Sequence, residues 1–225
     1  MVGNEQVEHY MSQVGLDEVL PRAAWPDLTI VRYAPGATIC TQGDAAHALR
    51  FLVNGKIRVS HTSAAGKRLV LSFKQPLDLI GDIEYVQRTP YLNTVEAVTT
   101  VEMLVISFEA LARHATEDVI WLNYLLTEIT RKFEMKSQSM SFNLFYPVEV
   151  RLASYLLSMT PETTTLGSTV DELTDIADLI GTSYRHVNRT LKRFVEQGLI
   201  ERDRRSITVV DRNRLIDVAG ESIYE

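Results

Sequence analysis

The amino-acid sequence predicts an α+β chain in three parts: a small N-terminal antiparallel β-roll, one long helix, and a C-terminal winged helix-turn-helix. Three observations carry that prediction. Residues 29 to about 108 hold short runs of alternating apolar residues, punctuated by Gly, Pro and Asn turn signals. Between 122 and 144, mostly apolar residues recur every three or four positions, and the pattern stops at Pro147. "LTDIADLIGTSYRHVNRTLKRFVEQGLI" then reads as two short helices joined by a Gly-containing turn, with β-rich segments after it. The expected boundaries are 1–115, 116–146 and 147–225.

In the roll, "ALRFLVNGKIRVS" is the clearest stretch. Leu49, Phe51 and Val53 alternate with other residues, as do Ile57 and Val59, and Asn54-Gly55 between them predicts a hairpin with φ > 0 at both turn positions. "AGKRLVLSFK" repeats the pattern around a Gly66 turn, and "VEAVTTVEMLVIS" at 95–107 is a further β-rich segment. The helix that follows carries a heptad-like seam of Leu122, Leu126, Ile129, Phe133 and Met140, interrupted by Lys136. That seam pairs with a second copy of the chain while Val119, Trp121 and Leu125 pack on the roll; the alternative is a long core helix within one chain. Pro147 ends the helix and serves as the first residue of the next, "PVEVRLASYLLSM". Thr169-x-x-Glu172 predicts a capping box, or Thr174 caps a shorter helix instead. Gly181 ends that helix, Ser183 caps the following one, and "LIERD" with "RRSITVV" forms the wing hairpin.

Composition bounds the function. With 225 residues, 45% of them hydrophobic and 23% charged, the chain is globular rather than disordered. "MVGNEQVEHYMSQVG" lacks a signal-peptide core, and no run reaches the roughly 18 apolar residues of a membrane span. A cytoplasmic location is expected. The single cysteine, Cys40, excludes an internal disulfide and a cysteine-only metal or iron–sulfur site within one chain. On a strand between Ile39 and Thr41 it reads as buried packing, with a thiol linking two chains as the other reading. The histidines at 9, 47, 61, 114 and 186 lack metal-ligand spacing, and no hydrolase, P-loop or cupin motif is present. No metal, haem or enzymatic activity is expected.

The formal net charge is −6, yet residues 184–205 carry seven Arg and Lys against three acids. Advancing about 100° per residue places Val187, Leu191, Phe194 and Val195 on one face of the second short helix. Tyr184, Arg185, Asn188, Arg189 and Lys192 lie opposite. Arg bonds guanine O6/N7 and Asn bonds adenine N6/N7, each through two hydrogen bonds, so Tyr184, Arg185, Asn188 and Arg189 are the candidate base readers. Ser183, His186, Lys192, Arg193, Arg202, Arg204 and Arg205 are the candidates for phosphate contact, which adds affinity without sequence information.

The order of parts, with "YAPGATICTQGDAAHALRFLVNGKIRV", "DLIGDIEY" and "IADLIGTSYRHVNRTLKRFVEQGLI", resembles the Crp/Fnr family of bacterial transcription regulators over about 30–214. The resemblance implies a cyclic-nucleotide-binding-like roll (a double-stranded β-helix) and a homodimer on two-fold-symmetric DNA. It also implies contact with RNA polymerase and an effector sensed by the roll. The family's Ser-Arg-Glu-Thr-Val-x-Arg run corresponds to Ser183–Arg189; its last arginine is Arg189, but its Arg-Glu pair is replaced by Tyr184-Arg185, which implies a different operator. Cyclic-nucleotide binders place Gly-Glu and then Arg-Ser around the cyclic phosphate. Here Gly81-Asp82 stands for the first pair, the second falls on "YLNT" at 91–94 without an arginine, and Arg88 lies in the intervening loop. Cyclic AMP is therefore not the expected ligand. Gly81, Asp82, Tyr85, Arg88, Tyr91, Asn93 and Thr94 are the candidate pocket residues, with Tyr85 and Tyr91 filling the pocket or lining it for another ligand. Binding DNA with no effector fits the same residues. The rival reading is a small-molecule-binding or catalytic β-barrel protein whose C-terminal domain mediates protein contacts.

Overall fold

The structure, a computed structural model, describes residues 2–159, 166–167, 170–204 and 206–220. It divides into two compact units, Met1–Glu134 and Met135–Glu225.

The first unit opens with helix α1 (Val2–Gln13) and a 3-10 turn (Arg22–Asp27). Six strands follow: β1 (Thr29–Tyr33), β2 (Thr38–Cys40), β3 (Ala48–Asn54), β4 (Ile57–Thr62), β5 (Arg68–Lys74) and β6 (Leu79–Ile80). Then come α2 (Asp82–Gln87), β7 (Thr94–Ala97), β8 (Val101–Ser107), α3 (Phe108–His114) and α4 (Val119–Phe145), the last running on into the second unit. The strands form the expected roll as two antiparallel sheets, β1-β8-β3-β6 and β2-β7-β4-β5.

Strand β3 shows how the roll is built. Successive side chains point to opposite faces, and every residue of β3 except Asn54 is buried. Leu49, Phe51 and Val53 join a core with Met11, Leu104, Ile106, Leu111, Trp121 and Leu125, so α1, α3 and the start of α4 cover that side. Leu52 joins the other core, with Ile57, Val59, Val95 and Met103 of both sheets. Tyr10 on α1 adds a 2.6 Å hydrogen bond from its hydroxyl to Glu102 on β8.

The Asn54-Gly55 hairpin does not form. β3 and β4 lie in different sheets, and the turn between them is a corner from one sheet to the other. Only Gly55 takes a positive φ (92°), where a Cβ would stand 2.3 Å from the Thr100 carbonyl oxygen. A turn does stand where the signal places it, but distant partners decide the pairing: β3 pairs with β8 and β6, and β4 with β7 and β5. The Gly66 turn does connect a β4–β5 hairpin. Helices α1, α2 and α3 are not expected from the sequence; α2 and α3 are too short to show helical periodicity, and α1 is polar over most of its length.

Helix α4 starts at Asp118, whose carboxylate accepts the Trp121 N–H at 2.9 Å. Trp121 and Leu125 are buried as expected, but Val119 is 68% exposed and stays largely in solvent. Val119 sits in the first turn, ahead of the point where the helix meets the core. Leu122, Leu126, Phe133 and Met140 are exposed and Ile129 is half-buried, so the seam lies largely uncovered on a single chain.

The second unit contains α5 (Val148–Met159), β9 (Leu166–Gly167), α6 (Val170–Leu179), α7 (Tyr184–Glu196), β10 (Ile200–Arg202), β11 (Ser206–Val209) and α8 (Arg212–Ala219). The strand order is β10-β11-β9, and the wing hairpin pairs Ile200 with Val209. Leu152, Leu156, Ile176, Ile180, Val187, Leu191, Phe194, Ile207 and Leu215 form its core. Neither β9 nor α8 is expected from the sequence. The Thr169 cap falls outside the described residues, and Thr174 lies within α6 rather than at its start. Val195 is 41% exposed, against expectation: Phe194 fills the space beneath α7, and Val195, about 100° further round, lies outside it.

Candidate nucleic-acid interface

Helix α7 begins on Ser183, whose extended backbone (φ −100°, ψ 150°) lets its hydroxyl oxygen accept the His186 N–H at 3.3 Å. Val187, Thr190, Leu191 and Phe194 face inward and are fully buried. The opposite face carries exposed Tyr184, Arg185, Arg189 and Lys192 and half-buried Asn188. Among the described residues, Arg185 and Arg189 have no carboxylate partner. Lys192 reaches its one acid neighbour, Glu196, only at 3.7 Å in full solvent. The first turn carries no acid, and the unpaired N–H groups of a helix N-terminus add positive potential there.

Other predicted residues are engaged differently. Arg193, still exposed, pairs at 3.2 Å with Glu149 on α5 and so links α7 to its own domain. Asn188 Nδ2 donates to the Tyr184 carbonyl at 3.1 Å and must leave that bond to read a base. The pKa of His186 is lowered, first by partial burial and then by Arg189, Arg193 and Arg151. It is therefore neutral near pH 7 and offers a hydrogen bond rather than a charge. In the wing, Arg204 is exposed and Arg202 half-buried, while Asp203 accepts from the Ser206 N–H and hydroxyl to close the turn. Arg205 lies outside the described residues.

The candidate pocket residues in the roll take different partners, and Tyr85 and Tyr91 fall in different cores. Gly81 caps α2 with φ 93°, and a Cβ there would meet the Ala48 carbonyl at 2.6 Å. Asp82 is buried and paired with Lys132 of α4 at 2.7 Å; the same ammonium donates to the Leu79 carbonyl at 2.5 Å. Tyr85 packs on Phe108 in the helix-side core, with the Arg88 guanidinium 5.1 Å above its ring. Tyr91 belongs to the other core, between the sheets. The Thr94 hydroxyl accepts the Gln42 N–H, and Asn93 sits beside His61.

Sequence reasoning missed the side chain that Tyr91 meets. Arg50 is 5% exposed, and its Nη1 donates to the Tyr91 hydroxyl at 2.5 Å and to the Ala48 carbonyl at 3.2 Å. Burial works to lower its pKa, but the Tyr91 and Tyr33 hydroxyls outweigh that and the net direction is upward. Its Nε has no hydrogen-bond partner among the described residues. Alternation was the available signal: with Leu49, Phe51 and Val53 on one face of β3, Arg50 must share the Leu52 face. Cys40 is buried nearby, as its position on a strand suggested. Among the described residues no group of His, Cys, Asp and Glu is placed to hold a metal ion, and no helix is long and apolar enough to cross a membrane.

Comparison with known proteins matches residues 30–118 to the cyclic nucleotide-binding domain and 150–218 to the Crp-like helix-turn-helix domain. The chain is similar to the CRP-like cAMP-activated global transcriptional regulator of Mycobacterium tuberculosis (strain H37Rv). The two are 24% identical over 220 residues, covering 89% of this chain and 98% of that protein. It is also similar to the cAMP-activated global transcriptional regulator CRP of Salmonella typhimurium, 26% identical over 186 residues, covering 80% and 89%. Among solved structures, a CRP-family transcriptional regulator from Thermus thermophilus shares the fold at TM-score 0.71. It is 24% identical and covers 87% of this chain and 98% of its own.

Proposed function

The chain belongs to the Crp/Fnr family of bacterial transcription regulators, and on that premise we propose that it works as a homodimer reading a two-fold-symmetric operator with α7, without control by cyclic AMP. In this reading 1–115 is the sensing domain, 116–146 the dimerisation helix and 147–225 the DNA-binding domain. The carrying observation is the outer face of α7, where Arg185 and Arg189 project from the N-terminal half of a capped helix and have no carboxylate partner among the described residues. That half of a recognition helix enters the major groove. Tyr184-Arg185 puts a donor where the family's glutamate would accept, so the preferred base pairs differ from the family's usual ones. Lys192, Arg202 and Arg204 supply phosphate contacts. Contact with RNA polymerase belongs to the same reading and is supported by the family resemblance alone.

The dimer reading is supported by the uncovered seam on α4. It would set the two recognition helices about 34 Å apart, one turn of DNA. The absence of cyclic AMP control is supported by "YLNT" at 91–94, which lacks the arginine a buried cyclic phosphate needs, and by Asp82 being occupied by Lys132. Two observations favour a different ligand reading: the relatives from Mycobacterium and Salmonella are named as cAMP-activated, and Arg50 is a buried cation between the sheets with a phenol, not a carboxylate, as its hydrogen-bond partner there.

The test is selection of preferred duplexes from a random library, then titration of Arg185→Ala and Arg189→Ala. Each should lose about 1–3 kcal/mol on the preferred site and relax the preference at one base pair. A wild-type chain with no preferred duplex at physiological salt defeats the DNA reading.

A further inference from the structure

The turn between α6 and α7 is held from outside by two side chains. Arg151, on α5, is buried, and its Nη1 donates to the Ile180 and Gly181 carbonyl oxygens. Asn143, near the end of α4, donates from Nδ2 to the Leu179 carbonyl at 3.3 Å. Three successive carbonyls at the C-terminal end of α6 are thus met by side-chain donors, at the end of a helix where carbonyls lack partners and a cation is favoured. The turn's own backbone closes with Gly181 N–H to Asp178 and Thr182 N–H to Ala177. The next residue, Ser183, caps α7. A Cβ at position 181 would stand 3.2 Å from Arg151 Nη1 and 3.5 Å from Asn143 Nδ2, so the turn lies tight against both donors.

We propose that Arg151 and Asn143 are positioning residues for DNA recognition, clamping this turn so that α7 presents Arg185 and Arg189 at one fixed angle. The inference rests on the DNA-binding reading above. Helix α5 holds the turn before α7 through Arg151 and meets α7 itself through Glu149 and Arg193. A buried guanidinium on a helix whose other buried residues are mostly apolar is a poor choice for stability alone, because an apolar side chain would avoid desolvating a charge. Its return is geometric: one Nη1, held in a rigid planar guanidinium at the end of a long side chain, meets two adjacent carbonyls. Asn143 also joins the last turns of α4 to the end of α6, so movement of that end of α4 reaches the turn that precedes the recognition helix.

The experiment compares binding to the selected duplex and to a scrambled one, by fluorescence anisotropy at fixed salt, for wild type, Arg151→Met, Arg151→Lys and Asn143→Ala. Folding is checked by urea unfolding. Arg151→Met should lower the preference ratio about tenfold while affinity for the scrambled duplex changes less than about twofold. Arg151→Lys, which keeps a cationic donor but not the planar guanidinium, should recover part of it, and Asn143→Ala should show a smaller loss. A purely structural role would instead weaken both affinities in proportion to the unfolded fraction. A folded Arg151→Met with the wild-type ratio overturns the inference. If Arg151→Met does not fold, wild-type ratios in both Arg151→Lys and Asn143→Ala overturn it. A wild type lacking any preference defeats the DNA reading itself and is separate from these outcomes.

Discussion

At 7% exposure the Cys40 thiol is pushed up to about 11, by burial first and against the pull of Arg50. It is a neutral thiol near pH 7, and thiolate is the reactive form. A disulfide-exchange reagent should modify it slowly in the folded chain and quickly in urea; fast modification of the folded chain would reinstate the thiol-switch reading. Lys132 and Asp82 set a different condition. Their ion pair is mostly buried, so Lys132→Met strands a carboxylate and should cost about 3–5 kcal/mol in urea unfolding, with Lys132→Met/Asp82→Leu recovering most of the loss. Equal stability of the single and double variants would show that the pair does not act as a unit. The buried arginines explain why residue roles were only half legible. Arg50 meets Tyr91 41 positions away and Arg151 meets Ile180 29 positions away, and no local pattern encodes such a partner.

Local periodicity served the elements better. The helical spacing from 122 to 144 and the Gly181–Ser183 signals both found their helices, because side chains three or four apart share a face whatever surrounds them. The exposed seam of α4 makes a claim at this scale. Phe133 is 75% exposed, and burying a side chain of that size contributes about 1.5–3 kcal/mol. Phe133→Asp should leave the chain folded and monomeric in sedimentation equilibrium while wild type is dimeric; a wild-type monomer at the same concentration would remove the dimer reading. Where the surroundings do matter, the pattern overreached: Val119 and Val195 are apolar and in phase, yet each lies past the edge of what it was expected to pack on.

For the whole molecule, a net charge of −6 does not oppose DNA binding, because the cations are concentrated on α7 and the wing. Affinity should fall with salt, by about 0.9 logarithmic units of K per unit of log salt for each phosphate contacted. Cyclic AMP should give no binding heat and leave operator affinity unchanged. If it does bind, loss of that binding in Arg50→Met would place its phosphate on β3 rather than beside α2. By itself the sequence determined the order of parts, the apolar seam, the capped basic helix and the family, since these rest on spacing within a few turns or on motifs read in line. Only the tertiary structure decided that β3 and β4 part into separate sheets, that Arg193 is spent on Glu149, and that Arg50, Lys132 and Arg151 hold the interior. Each depends on which distant segment the cores bring alongside, and for Arg50, Asp82 and Arg151 burial turns such a neighbour into a partner by making an unpaired charge costly.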